Sequence, residues 1–409
     1  MPRKSNLRFA VFASAICLAF ALVIKLPTLK YPVSNWDELI YLELSRQWLA
    51  TGSYSLAGSD LLHRLPRSFY DHPVFHHPPG FSIILAPFVL AKSPQLAITL
   101  SWLGHALALA AVAIVGYDLL LHGKPTEFRR RCVFVLPLAA IASDPLMNFI
   151  ARKIWMDNLL AGTTSLALCL AWLGGRTERW RLLLLGTGVM AAMACSLKVT
   201  AVAVLPFVGW LAIPADRRRP VASLLFVLLP SALVLAIWFS YFRAHTGVWF
   251  PYWTRPDEAF LTASPFVAAS ATQSIPSYLL KVFACMPFLV VFLLSVPFCR
   301  APFHCKLERA SSLWMLSLLG LFLLLGSAGF AKEARYLAPL APAACWLFYA
   351  RYDDETPNLA ERNDWLFPIF FLAAIAGAML AGFYLLVPQY DEILSPIELL
   401  NLTFAGIRI

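Results

Sequence analysis

Long apolar segments separated by short polar ones make up most of this chain. A helix of roughly 17–25 apolar residues crosses a bilayer core of about 30 Å. Segments close to this length recur at 9–26, 95–121, 133–149, 158–174, 182–197, 199–214, 221–242, 278–298, 313–330, 337–350 and 366–387. The pattern predicts an all-α polytopic membrane protein with about eleven transmembrane helices.

The segment from Phe81 to Ala91 is an exception, because eleven apolar residues do not reach across the bilayer core. We interpret it as an interfacial or re-entrant helix of the polar loop that precedes it. Residues 30–94 are therefore predicted to form a large first outer loop with interfacial helices. A second large outer loop is predicted at 243–277. The whole chain, 1–409, is expected to form one transmembrane domain without a soluble C-terminal domain.

Basic residues mark one side of the predicted bundle. Lys and Arg accumulate in cytoplasmic loops of membrane proteins. Here they cluster in the N-terminal segment and in alternate loops, at 3–8, 129–131, 176–181, 217–219, 300–309 and 351–362. The alternation predicts an N-terminus inside and a C-terminal tail outside. It also places the turn at Lys198 and the loops 35–80, 151–158, 243–277 and 331–336 on the outer side.

The composition supports a membrane protein and excludes a nucleic-acid-binding one. The chain is 60% hydrophobic and 14% charged, whereas soluble proteins are about 25% charged. Its net charge of +10 is spread over short runs between apolar segments instead of one soluble face. The lipid bilayer is therefore the expected environment, and no nucleic-acid partner is expected.

The first outer loop contains an unusual number of titratable side chains for such an apolar protein. Four of the eight histidines and five carboxylates lie between residues 35 and 80: His63, His72, His76, His77, Asp37, Glu38, Glu43, Asp60 and Asp71. Polar groups are costly near a membrane, and catalytic residues are frequent in loops. Chemistry is therefore expected first in this loop.

Asp37 and Glu38 open a segment with the apolar pattern of an interfacial helix. One interpretation is structural, because acidic residues in a first helical turn cap the helix and favour its dipole. The other is catalytic, with one of the two carboxylates acting as a general base at the outer membrane surface. The pattern alone leaves both open.

The loop ends in His76-His77-Pro78-Pro79-Gly80, directly before the short apolar helix. The two prolines suit a simple helix start. Alternatively, His77 and the free N–H groups of that helix face an anion. The spacing of Asp71, His72 and His76 is permissive for a metal site without being diagnostic of one.

Further candidates lie in the later outer loops. Asp157 can cap the next span or pair with Lys153, four residues earlier. Lys332 and Arg335 lie in a short loop that we expect to be exposed, and their spacing places them on one helical face. They can be cations that reach for the membrane interface, but their position on the outer side also favours an anionic ligand.

Taken in order, these motifs resemble the GT-C superfamily of membrane glycosyltransferases, in particular protein O-mannosyltransferases and lipid A aminoarabinose transferases. The motifs are Asp37-Glu38 after the first span, His77-Pro78-Pro79 at the end of the same loop, Asp157, and Lys332-x-x-Arg335-Tyr336-x-x-Pro339. The resemblance covers residues 1 to about 345. Relatives often have an Arg shortly after Asp-Glu, where this chain has Leu39-Ile40-Tyr41.

The resemblance implies transfer of a sugar from a polyprenyl-phosphate donor to an acceptor hydroxyl, with inversion. It matches Asp37 with the catalytic acid of the family's first outer loop and Asp157 with the acid of the second. The acceptor hydroxyl needs a base, for which Asp37 is the first choice, and Glu38 is a further catalytic candidate. The resemblance places His77, Lys332 and Arg335 near the donor phosphate. No cofactor is required by such a reaction, and a divalent metal is not predicted. The acceptor is left open between a glycolipid, a polysaccharide and a protein.

The loop charges place the active site on the outer side, and we expect a bacterial inner membrane with the site facing the periplasm. The alternative from another class is a transporter or flippase of lipid-linked or anionic solutes. Transporters place charges near the bilayer midplane and often contain repeated halves. This chain places its charges in outer loops and contains no recognisable repeat, so the pattern favours the enzyme.

Overall fold

The computed structural model of the chain describes residues 2–30, 36–59, 61, 74–75, 77–122, 127–178, 180–214, 219–249, 274–286, 288–289, 305–327 and 333–352. All regular elements within these residues are helices, and they contain no strand. This confirms the predicted all-α class. Asp71, His72, His76, Lys332, the predicted span at 366–387 and most of the loop at 243–277 lie outside the described residues.

The helices of the N-terminal half are α1 (Pro2–Val23), α2 (Trp36–Thr51), α3 (Gly80–Leu90), α4 (Ile98–His122), α5 (Glu127–Ala142), α6 (Pro145–Ile150) and α7 (Asp157–Gly174). Those of the C-terminal half are α8 (Trp180–Leu197), α9 (Leu205–Ala212), α10 (Pro220–Thr246), α11 (Ile275–Cys285), α12 (Lys306–Ser327) and α13 (Leu340–Tyr352). Short 3₁₀ helices lie at Leu26–Lys30, Pro94–Ala97, Val199–Val204 and Ala334–Leu337.

Six helical segments of the described chain are long and apolar enough to cross a membrane. They are Ser5–Leu29, Pro94–Asp118, Arg131–Ile150, Trp180–Leu197, Pro220–Thr246 and Lys306–Leu325. Each coincides with a predicted span, so the hydrophobic pattern located these helices correctly. The prediction of about eleven spans stays a prediction.

Helices α2 and α3 form the structured part of the predicted first outer loop. They pack together through apolar side chains, including an edge-to-face contact of the Tyr41 and Phe81 rings at 5.2 Å. Leu44 and Leu85 are fully buried between the helices and the bundle. α3 spans the short apolar segment expected to be an interfacial helix. Their packing fixes the first turn of α2, where Asp37 and Glu38 lie.

The predicted span at 133–149 is interrupted. α5 ends at Ala142, and α6 begins at Pro145. The Asp144 carboxylate caps α6 by accepting a hydrogen bond of 2.7 Å from the Met147 N–H. An N-cap aspartate followed by proline is a strong helix start signal, which explains the break.

Two glycines bring α4 and α7 unusually close. A Cβ built on Gly162 would lie 2.2 Å from the carbonyl oxygen of Gly104, and one on Gly104 would lie 2.3 Å from the Asn158 backbone. Only glycine permits such backbone contact. The contact holds the first turn of α7, which contains Asp157, against the centre of the bundle.

Candidate functional site

Arg335 is the centre of a buried group of charged side chains. It lies on the 3₁₀ helix Ala334–Leu337, and only 9% of its side chain is exposed. The sequence-based expectation that this loop is exposed is therefore wrong for Arg335. The loop is short, but it packs inward between other elements of the bundle, and Ala334 and Leu337 on either side are fully buried.

Each of the three guanidinium nitrogens of Arg335 faces a different carboxylate. Nη2 lies 2.6 Å from Asp37 Oδ2, and Nη1 lies 3.9 Å from Asp157 Oδ2. Nε pairs with Glu333 Oε2. Burial lowers the pKa of Arg335, but Glu333 and Asp37 outweigh this effect, so its pKa is well above the ordinary value. Arg335 therefore stays a cation that joins three separate segments.

Aromatic rings enclose the Arg335 guanidinium. Its central carbon lies 4.1 Å from the centre of the Trp155 ring and 5.3 Å from that of Tyr336. Both contacts have the geometry of cation–π pairs, which are stronger when water is excluded. The rings also limit the movement of the guanidinium, so Arg335 is held more firmly than an exposed arginine.

Lys198 is a second buried cation of the site, and sequence reasoning did not identify it. Its Nζ lies 3.5 Å from Asp157 Oδ1 and 3.8 Å from the centre of the Tyr336 ring. Burial lowers the pKa of Lys198, while the Asp157 carboxylate acts in the opposite direction. The available signal was a lysine between two strongly apolar segments, where an unpaired charge is costly.

We refer to Asp37, Asp157, Lys198, Glu333 and Arg335 as the charged cluster. Exposure differs sharply within it. The Asp37 side chain is 31% exposed, against 4% for Asp157 and 9% for Glu333. Asp37 is thus the carboxylate that a ligand can reach. Asp37 lies in the first turn of α2.

Glu38 has a different place from its neighbour. It is 3% exposed, and its Oε1 accepts a hydrogen bond of 2.8 Å from the Ile154 N–H. This bond fastens α2 to the loop at 151–156, which also supplies Trp155. Glu38 therefore holds the loop that lies beside the charged cluster. Asp37 and Glu38, which the sequence analysis treated together, have different places in the structure.

His77 lies just before α3, half-buried, with its ring 5.5 Å from that of Phe75. The end of this loop is close to the turn that contains Lys198. A Cβ on Gly80 would lie 2.4 Å from Ser196 Oγ, so the backbones nearly touch there. The segment that contains His77 therefore ends next to the turn of Lys198, and the assignment of His77 to a donor phosphate stays a prediction.

Within the described residues, no group of three or more His, Cys, Asp or Glu side chains is arranged to hold a metal ion. The candidates Asp71, His72 and His76 lie outside those residues, as does Lys332. The structure therefore does not test the permissive spacing of the three metal candidates, and the role of Lys332 stays a prediction from the sequence.

The fold is similar to that of known membrane glycosyltransferases. Over 96% of this chain and 69% of the other, it matches the crystal structure of ArnT from Cupriavidus metallidurans bound to undecaprenyl phosphate, with a TM-score of 0.62 and 16% identity. The apo structure of that ArnT gives a TM-score of 0.61 at 16% identity, over 96% and 71% of the two chains.

A second type of transferase has a more distant likeness. The crystal structure of an Archaeoglobus fulgidus oligosaccharyltransferase, tethered to an acceptor peptide that contains an NVT sequon, matches with a TM-score of 0.52 and 12% identity. The match covers 93% of this chain and 55% of that one. No protein-family model and no curated protein matches the sequence. At these identities the likeness establishes the fold alone, and this fold is the one expected from the motifs.

Proposed function

We propose that the protein is a glycosyltransferase that moves a sugar from a polyprenyl-phosphate donor to an acceptor hydroxyl, with inversion. The observation that supports this most directly is the partly exposed Asp37 carboxylate, held at 2.6 Å by the buried Arg335. It combines a reachable base with a fixed cation at one point. The similar ArnT structure holds undecaprenyl phosphate, which supports a donor of the same class here.

In the proposed reaction, the acceptor oxygen forms a bond to the anomeric carbon as the bond from that carbon to the phosphate oxygen breaks. Asp37 takes the proton of the acceptor hydroxyl. Such general base catalysis is typically worth about 10²–10⁴-fold. The leaving group departs as a stable phosphate anion, so it needs nearby cations instead of a general acid.

Arg335 is the described cation best placed to face that phosphate, with His77 and Lys332 as further proposed contacts. Arginine suits this task because its planar group forms paired hydrogen bonds to phosphate oxygens. Asp157 and Glu38 have supporting places in this proposal: Asp157 lies between Arg335 and Lys198, and Glu38 fastens the adjacent loop. No cofactor is required by this chemistry.

The proposed site faces the outer side of the membrane, the periplasm if the host is a bacterium with an inner membrane. The basic runs between alternate spans support this orientation. Polyprenyl-linked sugars are a suitable donor class there, because the tail remains in the bilayer while the phosphate meets the site. The acceptor is a glycolipid, a polysaccharide or a protein with a free hydroxyl.

The test is reconstitution of the purified protein into liposomes with radiolabelled donors. We expect transfer from polyprenyl-phosphate sugars to a crude envelope acceptor fraction and none from nucleotide sugars. Asp37→Asn protein is the matched control for contaminating activity. Transfer from nucleotide sugars alone would overturn the proposal.

A further inference from the structure

Glu333 was not among the site residues expected from the sequence, yet it contacts the central cation directly. Its carboxylate pairs with Arg335 Nε and is 9% exposed. Among the residues that the structure describes, Arg335 is the only cation within ion-pair distance of this carboxylate. Asp157, by contrast, is shared between Arg335 and Lys198. The Glu333 charge is thus balanced by Arg335 in particular.

The backbone of Glu333 is fixed as well as its side chain. Its carbonyl oxygen accepts a hydrogen bond of 3.4 Å from the Tyr278 hydroxyl of α11 and one of 3.3 Å from the Tyr336 N–H. Glu333 is also the N-cap residue of the 3₁₀ helix that contains Arg335. Because the backbone of Glu333 is held by these hydrogen bonds, its carboxylate can fix the position of the Arg335 guanidinium.

The three carboxylates around Arg335 therefore differ in how readily they can separate from the guanidinium. Asp37 is 31% exposed and reaches Arg335 from the solvent side. Asp157 and Glu333 are buried, and separating a buried carboxylate from its cation is strongly unfavourable. An incoming phosphate that needs Arg335 has to replace Asp37, because Asp37 alone can turn towards water.

We propose that Glu333 is a positioning residue that holds Arg335 in place through Nε, so that the donor phosphate can replace Asp37 on Nη2. This inference rests on the proposed function. Phosphate binding then has two consequences: the donor is held by a guanidinium that does not move, and the Asp37 carboxylate is released to accept the acceptor proton. The base becomes available only once the donor is bound.

The test compares Glu333→Met, which keeps the length but removes the carboxylate, with Glu333→Gln, which keeps an oxygen for Nε. For Glu333→Met we expect the donor KM to rise and kcat to fall, together by about 10²-fold, the typical effect of a displaced catalytic group. Glu333→Gln should restore activity to within about tenfold of the unmodified protein, because the amide oxygen keeps a neutral dipole beside Nε where the carboxylate of the ion pair lay.

The donor KM is the readout that separates positioning from misfolding, and the acceptor KM is its internal reference. Partial unfolding lowers the active fraction and moves neither KM, whereas a displaced Arg335 raises the donor KM alone. Glu43→Met is the matched control, because it breaks another Glu–Arg pair, that of Glu43 with Arg46 at 2.6 Å, outside the charged cluster. In an Arg335→Lys background, Glu333→Met should have no further effect, since lysine has no Nε to hold.

Two outcomes would overturn the inference while leaving the proposed function intact. One is an unchanged donor KM and kcat in Glu333→Met. The other is equal damage in the Met and Gln variants. Absence of transfer by the unmodified protein from any polyprenyl-phosphate sugar would instead overturn the proposed function itself.

Discussion

In the described part of the bundle, two of the groups of buried polar side chains differ in their partners. In the charged cluster, carboxylates meet cations, and Asp37 remains partly exposed. The second group surrounds the interruption between α5 and α6, and we call it the helix-break cluster. Its members are all almost fully buried: Lys25, His105, Asp144, Asn148 and Asn158.

The helix-break cluster bonds mainly to backbone. His105 Nε2 lies 2.8 Å from the carbonyl oxygen of Ile141. The side-chain amide of Asn158 donates a hydrogen bond of 2.8 Å to the carbonyl oxygen of Met147. Lys25 donates to Asn148 Oδ1 at 2.8 Å. An interrupted helix leaves carbonyl and N–H groups without helical partners, and these are costly in an apolar interior. This cluster therefore serves the fold.

The comparison shows that burial alone does not distinguish a site from a scaffold in a membrane protein. Two differences are informative. One is whether a buried polar group pairs with the backbone or with an opposite charge, and the other is whether solvent reaches it. If this distinction is correct, changes in the charged cluster should affect turnover, and changes in the helix-break cluster should affect only stability. The predictions below test that separation.

The largest effect is expected for Asp37→Asn. The amide keeps the shape of the carboxylate but cannot take the acceptor proton, so transfer should fall by about 10²–10⁴-fold. Thermal unfolding should change little, because the side chain is partly solvated. The check is turnover by purified protein in liposomes, with Glu43→Gln as the control on the same helix. Turnover near that of the unmodified protein would move the base to another residue, with Asp157 the next to test.

Arg335→Met should produce the largest loss of stability. It removes the cation between three carboxylates, two of them buried, and breaking a buried ion pair on one side typically costs about 3–5 kcal/mol. Arg46→Met is the matched control, because Arg46 pairs with Glu43 while 57% exposed, and such pairs contribute only about 0–1 kcal/mol. Equal unfolding free energies for the two variants in denaturant titrations would contradict the central place of Arg335.

The sequence was informative about elements and less so about the contacts between them. Hydrophobic segment length located α4, α7, α8 and α10 because one property, transfer into hydrocarbon, governs all of them. The break before α6 was missed, although Asp144-Pro145 is a local start signal. The periodicity of an apolar segment does not change there, so the overall pattern concealed the local one.

The site residues were predicted better than their arrangement. The order of motifs identified Asp37, Asp157 and Arg335, and the structure brings all three together. Lys198 and Glu333 were not identified, because their importance follows from neighbours distant in sequence. The same reason explains the error about Arg335: loop length is visible in the sequence, whereas the elements that cover a loop are not.

A smaller effect is expected in the helix-break cluster for Lys25→Met. The substitution leaves Asn148 Oδ1 without the donor it has at 2.8 Å, and an unsatisfied buried acceptor costs about 1–3 kcal/mol. Turnover per folded molecule should stay unchanged, since Lys25 belongs to the scaffold. The measurement pairs unfolding free energy with kcat corrected for active fraction. A fall in corrected kcat comparable to that of Asp37→Asn would show that the helix-break cluster also contributes to turnover, against the separation drawn above.

The smallest effect is expected for Trp102→Phe, at the boundary between the clusters. Trp102 lies on α4, and its Nε1 donates a hydrogen bond of 2.9 Å to the Ala151 carbonyl oxygen just beyond α6. Ala151 begins the loop that leads to Trp155 and Asp157. Phenylalanine retains most of the ring but loses the donor, and a typical hydrogen bond contributes about 0.5–1.5 kcal/mol net.

Trp238→Phe is the matched control for that experiment. Trp238 is 3% exposed, and within the described residues its Nε1 has no hydrogen-bond partner. The difference in unfolding free energy between the two variants therefore isolates the bond to Ala151 from the loss of ring volume. If the loop at 151–156 is held chiefly by Glu38 through Ile154, Trp102→Phe should leave corrected kcat unchanged. A clear fall in kcat for Trp102→Phe, with none for Trp238→Phe, would instead show that the position of the end of α6 affects the geometry of the charged cluster.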